Sequence, residues 1–115
     1  MRYLLLIAGD ESARSEVTAE EDTATLDEYG AWMKSVTDRG ILQGGERLRP
    51  VADATTVRVR NGEVLSTDGP FAETKEQLGG YFLVDCKDLD EAIDVAAKLP
   101  GARTGSIEVR PIWEM

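Results

Sequence analysis

A chain of 115 residues with 22 acidic against 13 basic side chains, a formal net charge of −9, is long enough for one domain and too short for two. Hydrophobic content of 42% and charged content of 30% describe a folded chain rather than a disordered one. The acidic field repels phosphate backbones and anionic bilayers, which argues against direct nucleic-acid binding and against membrane docking.

Residues 2–9 read as a strand with two apolar faces, Tyr3, Leu5 and Ile7 on one and Leu4, Leu6 and Ala8 on the other. Such a strand is covered on both sides. The apolar run Tyr3 to Ala8 is too short for the core of a secretion signal, and acids follow it at once. No run reaches the length of a membrane span, so a cytoplasmic, soluble protein is expected. Thr18-Ala19-Glu20-Glu21 has the form of a capping box and opens a helix to about Arg39. Leu26, Tyr29, Met33 and Val36 form its expected buried stripe, with Trp32 at the border. Gly40 ends it as a left-handed glycine would.

Residues 41–48 are a second strand, irregular at Gly44-Gly45, where a bulge or close backbone approach is expected. Residues 55–60 alternate cleanly, Asn61-Gly62 signals a type I′ hairpin, and residues 63–67 return. A polar connection covers Asp68 to Gln77. Leu78 to Cys86 is again apolar on both faces. Asp88-Leu89-Asp90-Glu91 caps a helix over residues 89–99, with Leu89, Ala92, Ile93, Ala96 and Leu99 as its stripe and Pro100-Gly101 as its stop. Residues 106–113 make the last strand, with Ile107, Val109 and Trp113 on one side.

The order β-α-β, hairpin, β-α-β predicts an α+β fold of ferredoxin-like plan with an inserted β-hairpin. Two helices cover one face of such a sheet. The doubly apolar strands therefore predict a homodimer with sheets packed face to face.

The chain has no histidine and one cysteine, Cys86. A lone cysteine makes no internal disulfide, and without a histidine base it has no obvious activator, so a packed, inert thiol is expected. Arg47, Arg49, Arg58 and Arg60 lie close in sequence and read as solvated strand-face charges. No metal site, phosphate loop or cofactor motif stands out, and none is expected.

The segment Thr67-Asp68-Gly69-Pro70-Phe71-Ala72-Glu73-Thr74-Lys75-Glu76-Gln77-Leu78-Gly79-Gly80-Tyr81 is dense in constraints. With the opening Tyr-Leu-Leu-Leu-Ile-Ala-Gly-Asp, Gly44-Gly45-Glu46-Arg47-Leu48, Ala54-Thr55-Thr56-Val57-Arg58 and Ser106-Ile107-Glu108-Val109-Arg110-Pro111-Ile112, it resembles the YCII-related family, in the branch known by its Asp-Gly-Pro-Phe motif. The resemblance spans nearly the whole chain. It implies the fold of the dimeric α+β barrels, a homodimer and a cleft near the motif, with no settled activity. It also implies encoding beside extracytoplasmic-function sigma factors. The His-Asp pair proposed as catalytic in some members of the wider group does not carry over, because this chain lacks histidine.

Asp68 can accept backbone N–H groups in a turn that Gly69 and Pro70 favour, with Phe71 pinned as an anchor. That makes a structural corner. Beside a cleft, the same aspartate becomes a ligand anchor or general base. Glu73 and Lys75 share a side of an extended segment and can shift each other's pKa, or simply form a solvated pair. Gly79-Gly80 marks strand curvature or a ligand's approach to backbone. Tyr81 offers a hydroxyl to a cleft or a packed ring to the core. Asp10 and Glu11 follow the first strand as loop charges or cleft residues. Glu46 is a weaker candidate. Arg110 is a further ligand candidate, with Asp68 or Glu108 as its possible ion-pair partner. Asp68, Tyr81 and Glu73 are thus the catalytic candidates, and Asp68, Tyr81 and Arg110 the candidates for holding a small molecule. Three functions fit: a dimeric ligand-binding or regulatory module, a small cofactor-independent enzyme with an Asp/Glu acid–base, or a purely structural partner protein.

Overall fold

The computed structural model describes residues 1–14 and 16–115. In chain order the elements are β1 (Arg2–Gly9), α1 (Glu11–Arg14), α2 (Ala19–Asp38), β2 (Leu42–Arg47), a 3-10 turn (Val51–Asp53), β3 (Thr55–Arg60), β4 (Glu63–Asp68), β5 (Gln77–Asp85), α3 (Leu89–Ala97), α4 (Gly101–Thr104) and β6 (Ser106–Pro111). Four strands form one sheet in the order β2-β5-β1-β6, with every neighbouring pair antiparallel. This is the ferredoxin-like arrangement expected from the element order. β3 and β4 pair only with each other, as a separate two-stranded sheet.

Local chemistry explains the element boundaries. The Thr18 hydroxyl accepts the Glu21 N–H at 3.1 Å and starts α2, satisfying a donor that has no partner inside the helix. Gly40, at φ +72°, turns the chain out of it. The Asp88 carboxylate accepts the Glu91 N–H at 2.9 Å, while Glu91 reaches back to the Lys87 N–H at 3.0 Å. Asn61 and Gly62, both at positive φ, make the hairpin turn.

α2 and α3 lie on one face of the sheet. There Tyr3, Leu5 and Val84 pack with Trp32, Val36, Ala92, Val95, Ala96 and Leu99 in a single buried cluster. The buried stripe of α2 is rotated from the one the spacing predicts. Trp32 and Val36 are buried, whereas Leu26 and Met33 are exposed. The indole wins the interior because its N–H finds the Val95 carbonyl at 3.0 Å and its ring meets Phe82 at 4.6 Å. On α3, Val95 is buried and Leu89 and Ile93 are exposed. Ala92 and Ala96 are the small residues that bring this helix close to the sheet.

Two chain ends of elements also differ from expectation. Pro100 adopts helical angles and starts the one-turn α4 instead of ending all helix. Gly101 packs closely, since a Cβ there would come 2.9 Å from the Tyr29 hydroxyl and would have to displace that ring tip. Trp113 lies beyond β6 and is exposed. Its tail is held by a two-pronged ion pair, Arg2 Nε and an Arg2 terminal nitrogen donating to the Glu114 carboxylate at 2.7 and 2.8 Å.

The irregularity of β2 falls between Leu42 and Gly44, a residue earlier than the glycine pair. Gly45 is the close approach, because a Cβ there would stand 2.6 Å from the Tyr81 carbonyl. On β5 the partner of Ile7 is Gly80 and that of Ala8 is Leu78, so Gly79 is the bulged residue. Among the described residues, no helix is long and apolar enough to cross a membrane.

Candidate functional site at the open sheet face

The helices leave the second face of the sheet uncovered. Register places Leu4, Leu6 and Ala8 of β1 beside Leu83, Tyr81 and Leu78 of β5 on that face. Leu4, Leu6, Tyr81 and Leu83 are only half-buried there, against full burial of Tyr3, Leu5 and Val84 on the helix side. Tyr81 sits between Leu6 and Glu46. Arg110 stands opposite Leu4 on the same face, two strands from Tyr81 and two residues along. That is about 10 Å across the strands. Its guanidinium pairs with Glu108, one of the two partners the sequence allowed.

Asp68 and Glu73 belong to neither strand of this face. Asp68 ends β4 opposite Thr55, and Glu73 is exposed in the following loop. The structure thus brings Tyr81, Arg110 and Glu46 onto one surface and sets Asp68 at the base of the hairpin. The Asp-Gly-Pro-Phe corner is closed by other groups than the Asp68 carboxylate. The Gly69 N–H donates to the Ala54 carbonyl at 2.7 Å, the Thr56 hydroxyl to the Gly69 carbonyl at 2.8 Å and Arg58 to the Phe71 carbonyl at 3.3 Å. Gly69 sits at φ +99°, which a side chain would strain. Phe71, expected as an anchor, is exposed within its own chain; its backbone, not its ring, is what the corner holds.

The loop after the corner is stitched to the end of the sheet where β1 stops and β5 and β6 begin. The Glu11 N–H donates to Gln77 Oε1 at 2.9 Å, and Gln77 Nε2 donates to the Thr74 carbonyl at 2.5 Å. The Ser106 hydroxyl donates to Glu76 Oε1 at 2.7 Å. The Glu11 carboxylate accepts the Val51 N–H, the nearer oxygen at 3.2 Å. Asp10 Oδ1 accepts both the Ser12 hydroxyl, at 2.6 Å, and the Ser12 N–H, at 3.0 Å. Those bonds hold its carboxyl below the ordinary carboxylate range, with a smaller contribution from the positive charge of Lys75. The sequence pattern pairs Lys75 with Glu73 and gives no sign of the contacts that Gln77 and Ser106 make. Gln77 lies inside the motif, yet nothing local announces a partner 66 positions away.

Two surface clefts lie elsewhere. One of about 250 Å³ is apolar, between α3, α4 and the helix side of β6, lined by Ile93, Ala96, Ala97, Ala102, Ile107 and Val109. The other, about 360 Å³, surrounds the N-terminal turn of α3 and is lined by Arg39, Lys87, Asp88, Asp90, Glu91 and Asp94. Cys86 is buried, and burial pushes its thiol pKa up, helped by Glu91 and Asp85. It behaves as a small apolar side chain, as expected.

A helix-backed antiparallel sheet of ferredoxin-like topology, with an inserted hairpin and an open second face, defines the class of this protein. The model of the YCII-related domain matches residues 1–115. An uncharacterized protein of Rhizobium meliloti (strain 1021) is 45% identical over 114 residues, covering 97% of this chain and 92% of that relative. The chain belongs to the YCII-related domain family.

Proposed function

We propose that the protein is a homodimeric ligand-binding or regulatory module, acting as one domain, whose two open sheet faces shield each other. In this reading a small organic molecule binds at the rim marked by Tyr81, Arg110 and the Asp68 corner. The observation that carries it is the apolar stripe Leu4, Leu6 and Leu83, left half-bare by the helices. Exposed apolar patches of this kind mark interaction surfaces. Tyr81 and Arg110 at its margin supply a hydroxyl donor and a cation, a pair suited to a small carboxylate or phosphate ester.

The competing reading is a cofactor-independent enzyme with an Asp or Glu acid–base. A general base working near neutral pH needs a carboxyl whose pKa is raised. Asp10 is held the other way. That carboxyl is suited to anchoring a donor rather than abstracting a proton. The lone buried thiol fits a reducing cytoplasm. The family resemblance adds a protein partner, a sigma-factor-linked protein that reads the liganded dimer.

Sedimentation equilibrium combined with a thermal-shift screen of small anions tests the proposal. A dimer, with a ligand whose melting-temperature gain disappears in Arg110→Gln and in Asp68→Asn, is the expected result. A monomer at 100 μM (a concentration on the order of those used for weak dimers) removes it. A dimer in which both variants bind every hit like the parent removes the site but not the assembly.

A further inference from the structure

The β3–β4 hairpin has an apolar face that stands exposed. Register puts Val57, Val59 and Val64 on one side of the ribbon, with Ser66. The three valines are 61%, 58% and 72% exposed. An isolated two-stranded hairpin is marginal in water and needs a surface to lie on. Its own chain does not supply one: among the described residues, the buried core contains no residue of β3 or β4. The hairpin projects instead. The radius of gyration is 16.1 Å, against about 13 Å for a compact domain of this length.

The whole chain exposes 8159 Å² at a mass of 12.6 kDa. A compact monomer of that mass exposes roughly 6,200 Å². The excess, about 2,000 Å², falls within the surface that each subunit of an obligate homodimer buries. The hairpin itself, residues 55–68, carries Arg58 and Arg60 against Glu63 and Asp68, so it is neutral in a chain of net −9 and meets no like-charge repulsion on a second acidic body.

Resting on the dimer reading above, we infer that the β3–β4 hairpin is an exchanged arm: beside the face-to-face contact, the valine face of each hairpin lies along the rim of the other subunit's open sheet face. Each candidate site is then composite. Tyr81 and Arg110 come from one chain. The apolar wall over them comes from Val59 and Val64 of the partner subunit, because the described residues of the same chain leave that face half-open. A ligand there is recognised by a polar floor and a valine roof, so an anion with a compact apolar body fits better than a bare inorganic ion. The separate sheet and the positive φ of Asn61 and Gly62 follow the same logic: the turn pre-forms an arm before its docking surface arrives.

Site-specific photo-cross-linking of the full chain tests the arm. With p-benzoylphenylalanine placed at the exposed Val64, irradiation is expected to yield a product of twice the chain mass on a denaturing gel. Mass spectrometry is expected to join position 64 to a peptide from residues 2–9 or 77–85 of the second copy. A companion variant, Val59→Asp with Val64→Asp, is expected to weaken self-association at least about 100-fold, since the acids would be buried against leucines. If the parent is a dimer but the link closes within one chain, reaches any other surface, or does not form at all, the arm is overturned and the dimer stands. If the parent is a monomer, both fall.

Discussion

The two faces of β1 and β5 are made of the same residue types and have opposite environments. Tyr3, Leu5 and Val84 are at most 2% exposed under the helices, while Leu4, Leu6 and Leu83, one residue away, are half-open. A period of two puts neighbours on opposite sides, so identical leucines report on different contacts. The helix-covered face makes the fold. The open face leaves its leucines only half-covered inside the chain, which is the observation the proposed dimer is built on.

Mutating along one strand sharpens the contrast most. Leu5→Ala is expected to cost about 2–5 kcal/mol, because it leaves a cavity in a fully packed site. Leu6→Ala is expected to cost less than half as much at high dilution, with a deficit that grows as protein concentration rises through the dimer range. Urea denaturation at two concentrations separated a hundredfold checks this. Equal, concentration-independent losses would mean that both faces are covered within one chain.

The corner is the next contrast. Gly69→Ala is expected to cost on the order of 1–3 kcal/mol, since φ +99° suits only glycine well. Asp68→Asn, at an exposed side chain that closes no backbone bond, is expected to stay within about 0.5 kcal/mol of the parent. Chemical denaturation of the two variants side by side decides it. A large loss in Asp68→Asn would return that aspartate to a purely structural role.

Cysteine chemistry reports on the covered face. Cys86 is expected to react with a thiol reagent at pH 8 at the rate of unfolding rather than of an open thiol, because it is 1% exposed and its pKa is raised by burial. Fast labelling of the native protein would show the helix layer to be loose. The smallest effect belongs to Asp10. Its folded pKa is depressed, so its contribution to stability is present above the ordinary carboxylate value, about 4, and is lost as pH falls through the lower folded value. Asp10→Asn is therefore expected to lower stability slightly in the neutral region, where the contribution is present, and to flatten the acid limb of the stability–pH curve.

Much of this was legible from residues alone. The caps at Thr18 and Asp88, the Asn61-Gly62 turn and the doubly apolar strands act over a few positions, so pattern and propensity suffice to find them. The hairpin strand 55–60 and the long helices lie where the periodicity puts them. The buried face of α2 did not follow from spacing, because Trp32 and Met33 are adjacent and the choice depends on a carbonyl at Val95, 63 positions away. Likewise the grouping of Asp68, Tyr81 and Arg110 seemed natural in a motif, and the pairing register instead puts Asp68 in a different sheet.

By itself the sequence determined the elements, their order, the glycine corners and the family, since each is encoded by short-range sterics, hydrogen-bond capping or a contiguous motif. Only the tertiary structure decided which side of each helix is dry, that Glu11 meets Gln77, that Ser106 meets Glu76 and that the hairpin valines stand uncovered. Those facts depend on distances between residues remote in the chain, which are set by packing the whole core at once and are written in no local pattern.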